Sequence, residues 1–142
     1  WSLTAKRYEG GPVDPAHVSL AIDEFPVLFV AAAVAKGKTV FSGLEELRVK
    51  ESDRIGAMAA GLRNLGIQVD ETEDGAVVHG GQLHGGTVQS FGDHRIAMSL
   101  AIAGTVANGA VSVQQTDAVA TSFPGFVDLF RTLGTQIEEI AE

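Results

Sequence analysis

The chain has no cysteine. That removes a disulfide framework, a thiol nucleophile and any cysteine-based zinc site, and it suits the cytoplasm, where disulfides are rare. Cations are in the minority: ten Lys and Arg against 18 Asp and Glu give a formal net charge of −8. A phosphate backbone is normally held by a net basic face, so the composition argues against a nucleic-acid partner. Long apolar runs are missing too. The longest, from Phe25 to Ala35, is interrupted by Pro26 and falls well short of the roughly 20 residues that cross a bilayer. No signal-peptide pattern is present, and no membrane partner is expected. No two of the four histidines stand at metal-ligand spacing, so no metal is expected. His17, His79 and His84 are isolated and read as surface or loop residues.

What is present is enough apolar residue, 45%, for a true core, and 17 glycines, which point to many tight turns and helix stops. At 142 residues the chain is one domain or a piece of one. It opens on Trp1 rather than Met, which raises the expectation of a piece cut from something longer.

Ser2 to Arg7 alternates weakly, as a strand does, and Glu9 to Pro15, with Gly10, Gly11, Pro12 and Pro15, reads as a loop. Asp23 is a natural N-cap for an alanine-rich helix with Pro26 in its first turn and Gly37 as its stop. Thr39 to Phe41 reads as a short strand. Ser52 or Asp53 caps a helix whose Ile55, Met58, Leu62 and Leu65 fall at helical spacing, with Gly66 ending it. Ile67 to Thr72 and Ala76 to His79 read as a hairpin turning at Glu73-Asp74-Gly75. Gly80-Gly81 and Gly85-Gly86 bracket a loop, open no helix and match no phosphate-binding loop. Beyond them, Thr87 to Ser90 is extended and Asp93 caps an apolar helix ending at Asn108-Gly109. Ala110 to Gln114 alternates as a strand. Ser122 caps a helix with Pro124 in its first turn and Gly134 as its stop, and Gln136 to Ile140 is a last strand.

The pattern therefore repeats. Asp23 and Asp93 stand 70 residues apart, as do Ser52 and Ser122, and Gly66-Ile67-Gln68-Val69 echoes Gly134-Thr135-Gln136-Ile137 at 68. Each unit reads strand, helix, strand, helix, strand, and the first adds a further strand, giving β-α-β-α-β-β and α/β (α+β) layering. The units divide at residues 1–80 and 81–142, and the second has no room for its final strand.

The densest chemistry is Arg48-Val49-Lys50-Glu51-Ser52-Asp53-Arg54, a compact run of mixed charge at a strand-to-helix junction. Unpaired N–H groups at a helix start, the helix dipole and added cations all favour an anion there. The segment is a candidate grip for a phosphorylated or carboxylated substrate, with Glu51 or a neighbour moving a proton. A solvated charged turn would explain the same run. For Asp23, capping alone and a general base at a helix mouth are compatible readings. Asp93-His94-Arg95 places three ionisable groups at the mouth of an apolar helix, which is costly unless they meet partners or ligand.

Three blocks, Ile22-Asp23-Glu24-Phe25-Pro26, Leu47 to Arg54, and Asp93-His94-Arg95-Ile96-Ala97-Met98, together closely resemble the 5-enolpyruvylshikimate-3-phosphate synthase family in order and separation. The resemblance runs along the whole chain but covers only about the C-terminal third of the family's length. It implies an inside-out α/β barrel domain of the enolpyruvyl transferase type, in which β-α-β-α-β-β units are repeated. The reaction it implies moves the enolpyruvyl group of phosphoenolpyruvate to the 5-hydroxyl of shikimate 3-phosphate and releases phosphate. By motif position, Asp23 corresponds to the base that takes the hydroxyl proton and also binds the shikimate ring. Lys50 corresponds to a shikimate 3-phosphate ligand, and Glu51 to a carboxylate in proton transfer at the enolpyruvyl carbon. Arg54 and Arg95 correspond to phosphoenolpyruvate ligands, with His94 beside them. No cofactor is implied, because cations can supply the neutralisation. The implied partner is the missing N-terminal portion, without which the piece alone is expected to be inactive. Thr121 stands where many members of the family carry lysine, and the Ala120-Thr121-Ser122-Phe123-Pro124 form is similar to the bacterial branch with low glyphosate sensitivity. The alternatives are a non-catalytic assembly piece, or an enolpyruvyl transferase with another acceptor such as a UDP-sugar.

Overall fold

The computed structural model describes residues 9–14, 16 and 21–141; the strand expected over 2–7 and His17 lie outside them. A short 3-10 turn, Ile22–Glu24, leads into α1, Phe25–Val34. β1, Lys38–Phe41, follows, then a second 3-10 turn, Glu45–Val49, and α2, Arg54–Asn64. β2, Val69–Glu71, and β3, Ala76–His79, form the expected hairpin. β4, His84–Gln89, α3, His94–Val106, and β5, Asn108–Gln114, make a strand–helix–strand unit. The chain closes with α4, Asp117–Ser122, and α5, Phe126–Thr132.

β3 lies between β1 and β2 and is antiparallel to both, while β4 and β5 pair in parallel. A parallel pair needs a crossover element, and α3 supplies it. α1 packs against β3 and also against α2 and α3, which is why it is apolar on more than one side: Phe25, Phe29, Val30, Ala32 and Ala33 are all buried. Phe29 stacks at a tilt on Phe41 of β1, with ring centroids 4.4 Å apart. Of the four residues at helical spacing, Ile55, Met58 and Leu62 in α2 and Leu65 at its C-cap, none has exposed surface. Arg63 in its last turn donates to the Val69 carbonyl, fastening the helix end to β2. Gly66, at φ +89°, turns the chain out of α2, and a Cβ there would stand 2.6 Å from the His84 ring. Gly61 lets α2 approach α3, since a Cβ would meet the buried Leu100 side chain at 2.8 Å.

Several local expectations are corrected. Asp23 does not cap α1: the helix begins at Phe25 with Glu24 at the cap position and no side-chain cap, because Asp23 sits in the preceding 3-10 turn. The 9–13 stretch is not a free loop. Gly10 and Val13 donate to Lys36 and Val40, and Val40 donates to Gly11, so the stretch runs parallel beside β1; Pro12, with no N–H to give, bridges where none is needed. Gly85 and Gly86 lie inside β4, where Gly85 faces the backbone of Gly109 and Ala110 too closely for a side chain. Ser122 ends α4 rather than opening a helix; Gly125, at φ +88°, precedes α5. Gln136 to Ile140 forms no strand.

Candidate functional site

Asp53 and Asp93 each cap a helix. Asp53 Oδ1 accepts from the Gly56 N–H at 3.0 Å and Asp93 Oδ1 from the Arg95 N–H at 2.9 Å. The packing of α2 on α3 sets these helix mouths side by side, and Ser52 Oγ donates to Asp93 Oδ2 at 2.8 Å.

Between them lies Arg54, at 2% exposure the most deeply buried cation among the described residues. Its Nε donates to Asp93 Oδ2 at 2.9 Å and its Nη2 reaches Asp93 Oδ1 at 3.4 Å, a forked grip on a carboxylate that is itself 1% exposed. Nη2 also donates to Glu51 Oε2 at 2.6 Å, and Nη1 to Asp23 Oδ1 at 3.1 Å. One guanidinium thus joins three stretches of chain that lie dozens of residues apart. Lys50 Nζ stands 3.6 Å from Asp23 Oδ1 and 2.9 Å from Glu46 Oε1. Arg95 Nη1 is 3.1 Å from Glu24 Oε1, and half-buried His94 opens α3 beside it.

Burial works against the charge on Asp93, but the Arg54 guanidinium, the Ser52 hydroxyl and the Arg95 N–H outweigh it and hold the carboxyl below its ordinary range. The hydrogen bond that Lys50 donates to Glu46, opposed by desolvation and helped by Asp23, raises Lys50 above the usual lysine value, so it stays cationic.

Four of the six expected residues, Asp23, Lys50, Glu51 and Arg54, therefore stand in one charged network; Arg95 touches it through its backbone N–H on Asp93 while its guanidinium pairs apart with Glu24, and His94 opens α3 beside it. Sequence reasoning missed the counter-charges. Asp93 reads in the sequence as a cap but not as the buried partner of Arg54, and no motif marks Glu24 or Glu46 as counter-charges. The acidic balance of the chain was the available signal, since cations in such a chain seldom stand alone. Thr121 lies exposed in α4. A hollow of about 190 Å³ lined by residues including Val119, Phe123, Pro124, Phe126 and Glu139 sits at the α4–α5 turn and includes no member of the network. Among the described residues no group of acidic or histidine side chains is placed to hold a metal ion.

Residues 2–130 match the family model described as EPSP synthase (3-phosphoshikimate 1-carboxyvinyltransferase). This chain belongs to the EPSP synthase family. It is 58% identical over 129 residues to the 3-phosphoshikimate 1-carboxyvinyltransferase of Xanthomonas axonopodis pv. citri, covering 91% of this chain and 29% of the relative. It is 52% identical over 134 residues to that of Coxiella burnetii, covering 94% of this chain and 31% of the relative. The structure of an EPSP synthase from Acinetobacter baumannii superposes with a TM-score of 0.86 at 47% identity, over 89% of this chain and 30% of that one. The chain thus spans about three-tenths of the length of these EPSP synthases, and its α/β architecture is that part of the enolpyruvyl transferase fold.

Proposed function

We propose that this chain is one face of an active site that transfers the enolpyruvyl group of phosphoenolpyruvate to the 5-hydroxyl of shikimate 3-phosphate, releasing phosphate. The observation that carries the reading is the Arg54 network, which gathers the carboxylates of Asp23, Glu51 and Asp93 around Arg54 and Lys50 at two helix mouths, with Arg95 opening the second helix, in a chain of this family.

The chemistry asks for a base at the attacking hydroxyl, an acid at the enolpyruvyl carbon, and neutralisation of phosphate and carboxylate groups. Asp23, half exposed and steadied by Arg54 and Lys50, takes the hydroxyl proton and holds the shikimate ring. Glu51 moves the proton at the enolpyruvyl carbon. Lys50 receives the shikimate 3-phosphate. Arg54 and Arg95 grip phosphoenolpyruvate, with His94 beside them. Each of these cations already meets a carboxylate, and the exposure of those partners sorts them. Asp93 is fully buried and stays on Arg54, fixing its fork; Glu51 and Glu24 are exposed and can swing away as substrate oxyanions take their places.

We place about two repeat units of the β-α-β-α-β-β type in this chain, at 1–80 and 81–142, the second showing no strand after α5 among the described residues. Its partner is the remaining portion of the enzyme, acting in the cytoplasm. Exposed Leu129 on α5, Leu133 just after it, and Ile140 fit a surface that this portion covers. The test is complementation: the chain is mixed with the upstream portion and phosphate release from phosphoenolpyruvate plus shikimate 3-phosphate is assayed. Activity is expected from the assembled mixture, none from the chain alone, and a loss of about a hundredfold or more with Asp23→Ala. No phosphate release from an assembled mixture would leave a purely structural piece or another acceptor as the better account.

A further inference from the structure

Arg48 belongs to the same charged stretch as Arg54 but faces the other way and has no share in the network just described. Its Nη1 donates to Asp53 Oδ2 at 2.8 Å and to Glu71 Oε1 at 2.5 Å, its Nε donates to the Glu73 carbonyl at 3.1 Å, and its Nη2 donates to the Thr72 carbonyl. We infer that Arg48 is a positioning residue: it closes the 48–53 turn that carries Lys50 and Glu51, and clamps that turn to the β2–β3 hairpin.

The need for such a clamp follows from the backbone. The 3-10 turn stops at Val49, Lys50 is extended, and α2 does not begin until Arg54, so residues 50–53 belong to no helix or strand. Val49, 80% exposed, offers no apolar anchor. Leu47 is buried before the turn and Arg54 after it. Between those anchors, the Arg48–Asp53 pair ties the two ends of the turn together. Asp53 is also the cap of α2, so Arg48 bears on the start of the helix from which Arg54 projects. The hairpin is a suitable frame because it already holds the entrance to the same connection. The Gly43 N–H donates to Asp74 Oδ2 at 2.9 Å, and the Leu44 N–H to the Asp74 carbonyl at 2.7 Å. Four acceptors from two stretches of chain require a planar fork with several fixed donors; the ammonium of lysine, a single point, cannot reach them together.

The effect on turnover rests on the function proposed above, but the clamp itself is testable without it. Arg48→Lys and Arg48→Gln are made in the full-length enzyme, with Glu71→Gln as a milder variant that weakens one contact. In the absence of substrate, amide hydrogen exchange at residues 50–56 is expected to rise about tenfold in both Arg48 variants, and less in Glu71→Gln, while Val77 and Val78 in β3 exchange as before. In the assay, kcat/KM is expected to fall about tenfold or more, with KM for both substrates raised, in Arg48→Lys as well as Arg48→Gln. A melting temperature lowered with exchange raised everywhere alike, and with KM and kcat per folded molecule unchanged, would overturn the proposal, as would an Arg48→Lys variant indistinguishable from the parent. If the unaltered enzyme performs no enolpyruvyl transfer, the functional reading fails on its own, and the exchange experiment still decides the clamp.

Discussion

Arg54 is 2% exposed and faces carboxylates from three stretches of chain, whereas Arg48, six positions earlier, meets its partners nearer the surface, on its own turn and on one hairpin. The two have the same chemistry and similar neighbours in sequence. What separates them is the company that folding brings: for Arg54 a buried carboxylate that cannot turn to water, for Arg48 partially solvated groups that can. The first pair is costly to break. The second is cheap to break globally and costly only to the segment it holds.

Replacing each arginine tests this most severely. Arg54→Met leaves Asp93 buried with a hydroxyl and one N–H for company, and about 3–5 kcal/mol of stability is expected to go. Arg48→Met leaves its former partners able to find water, and the expected loss is about 1 kcal/mol. Urea denaturation of both variants measures the difference; equal losses would abolish the distinction.

Acid sharpens it. The Asp93 carboxyl is held below its ordinary range, since the Arg54 fork, the Ser52 hydroxyl and the Arg95 N–H overcome the opposing effect of burial. A group depressed on folding contributes stability that is fully present above its unfolded value, near about 3.9 for aspartate, and lost as pH falls through the lower folded value. Denaturation followed between about pH 5 and pH 2 should show this increment disappear below about pH 4. In Asp93→Asn the same increment should be absent throughout, and the variant should already be weaker by about 2–3 kcal/mol at neutral pH. Parallel pH curves for the two proteins would mean that Asp93 is not the group that matters.

The sequence carried the secondary structure wherever local signals sufficed. The α2 stripe of Ile55, Met58, Leu62 and Leu65, the Asp53 and Asp93 caps and the Asp74-Gly75 hairpin all form as their spacing implies. It misled where a side chain had a better offer from afar. Asp23 is suited to cap α1, yet its carboxylate is taken by Arg54 and Lys50, which arrive from about thirty positions away. Ser122 precedes a proline as a cap often does, but α4 runs through it before Gly125 reverses the chain. Gln136 to Ile140 alternates as a strand does, yet forms no ladder. The candidate site was legible as a set of residues through the family blocks; that five carboxylates would answer its three cations was not, because pairing is a property of the assembled helices rather than of any one segment.

The finest comparison is within Asp53, which belongs to both themes. Its Oδ1 caps α2 through the Gly56 N–H, and its Oδ2 receives Arg48. Asparagine keeps an oxygen for the cap and gives up the charge, so Asp53→Asn should cost no more than about 0.5 kcal/mol. Alanine removes both contacts and should cost about 1 kcal/mol or somewhat more. A double-mutant cycle of Asp53→Asn with Arg48→Gln then isolates the ion pair, for which a coupling of about 0.5 kcal/mol is expected. If Asp53→Asn cost as much as Asp53→Ala, the carboxylate charge rather than the cap would be what begins α2 at Arg54. Arg48 would then act on the helix itself and not only on the turn before it.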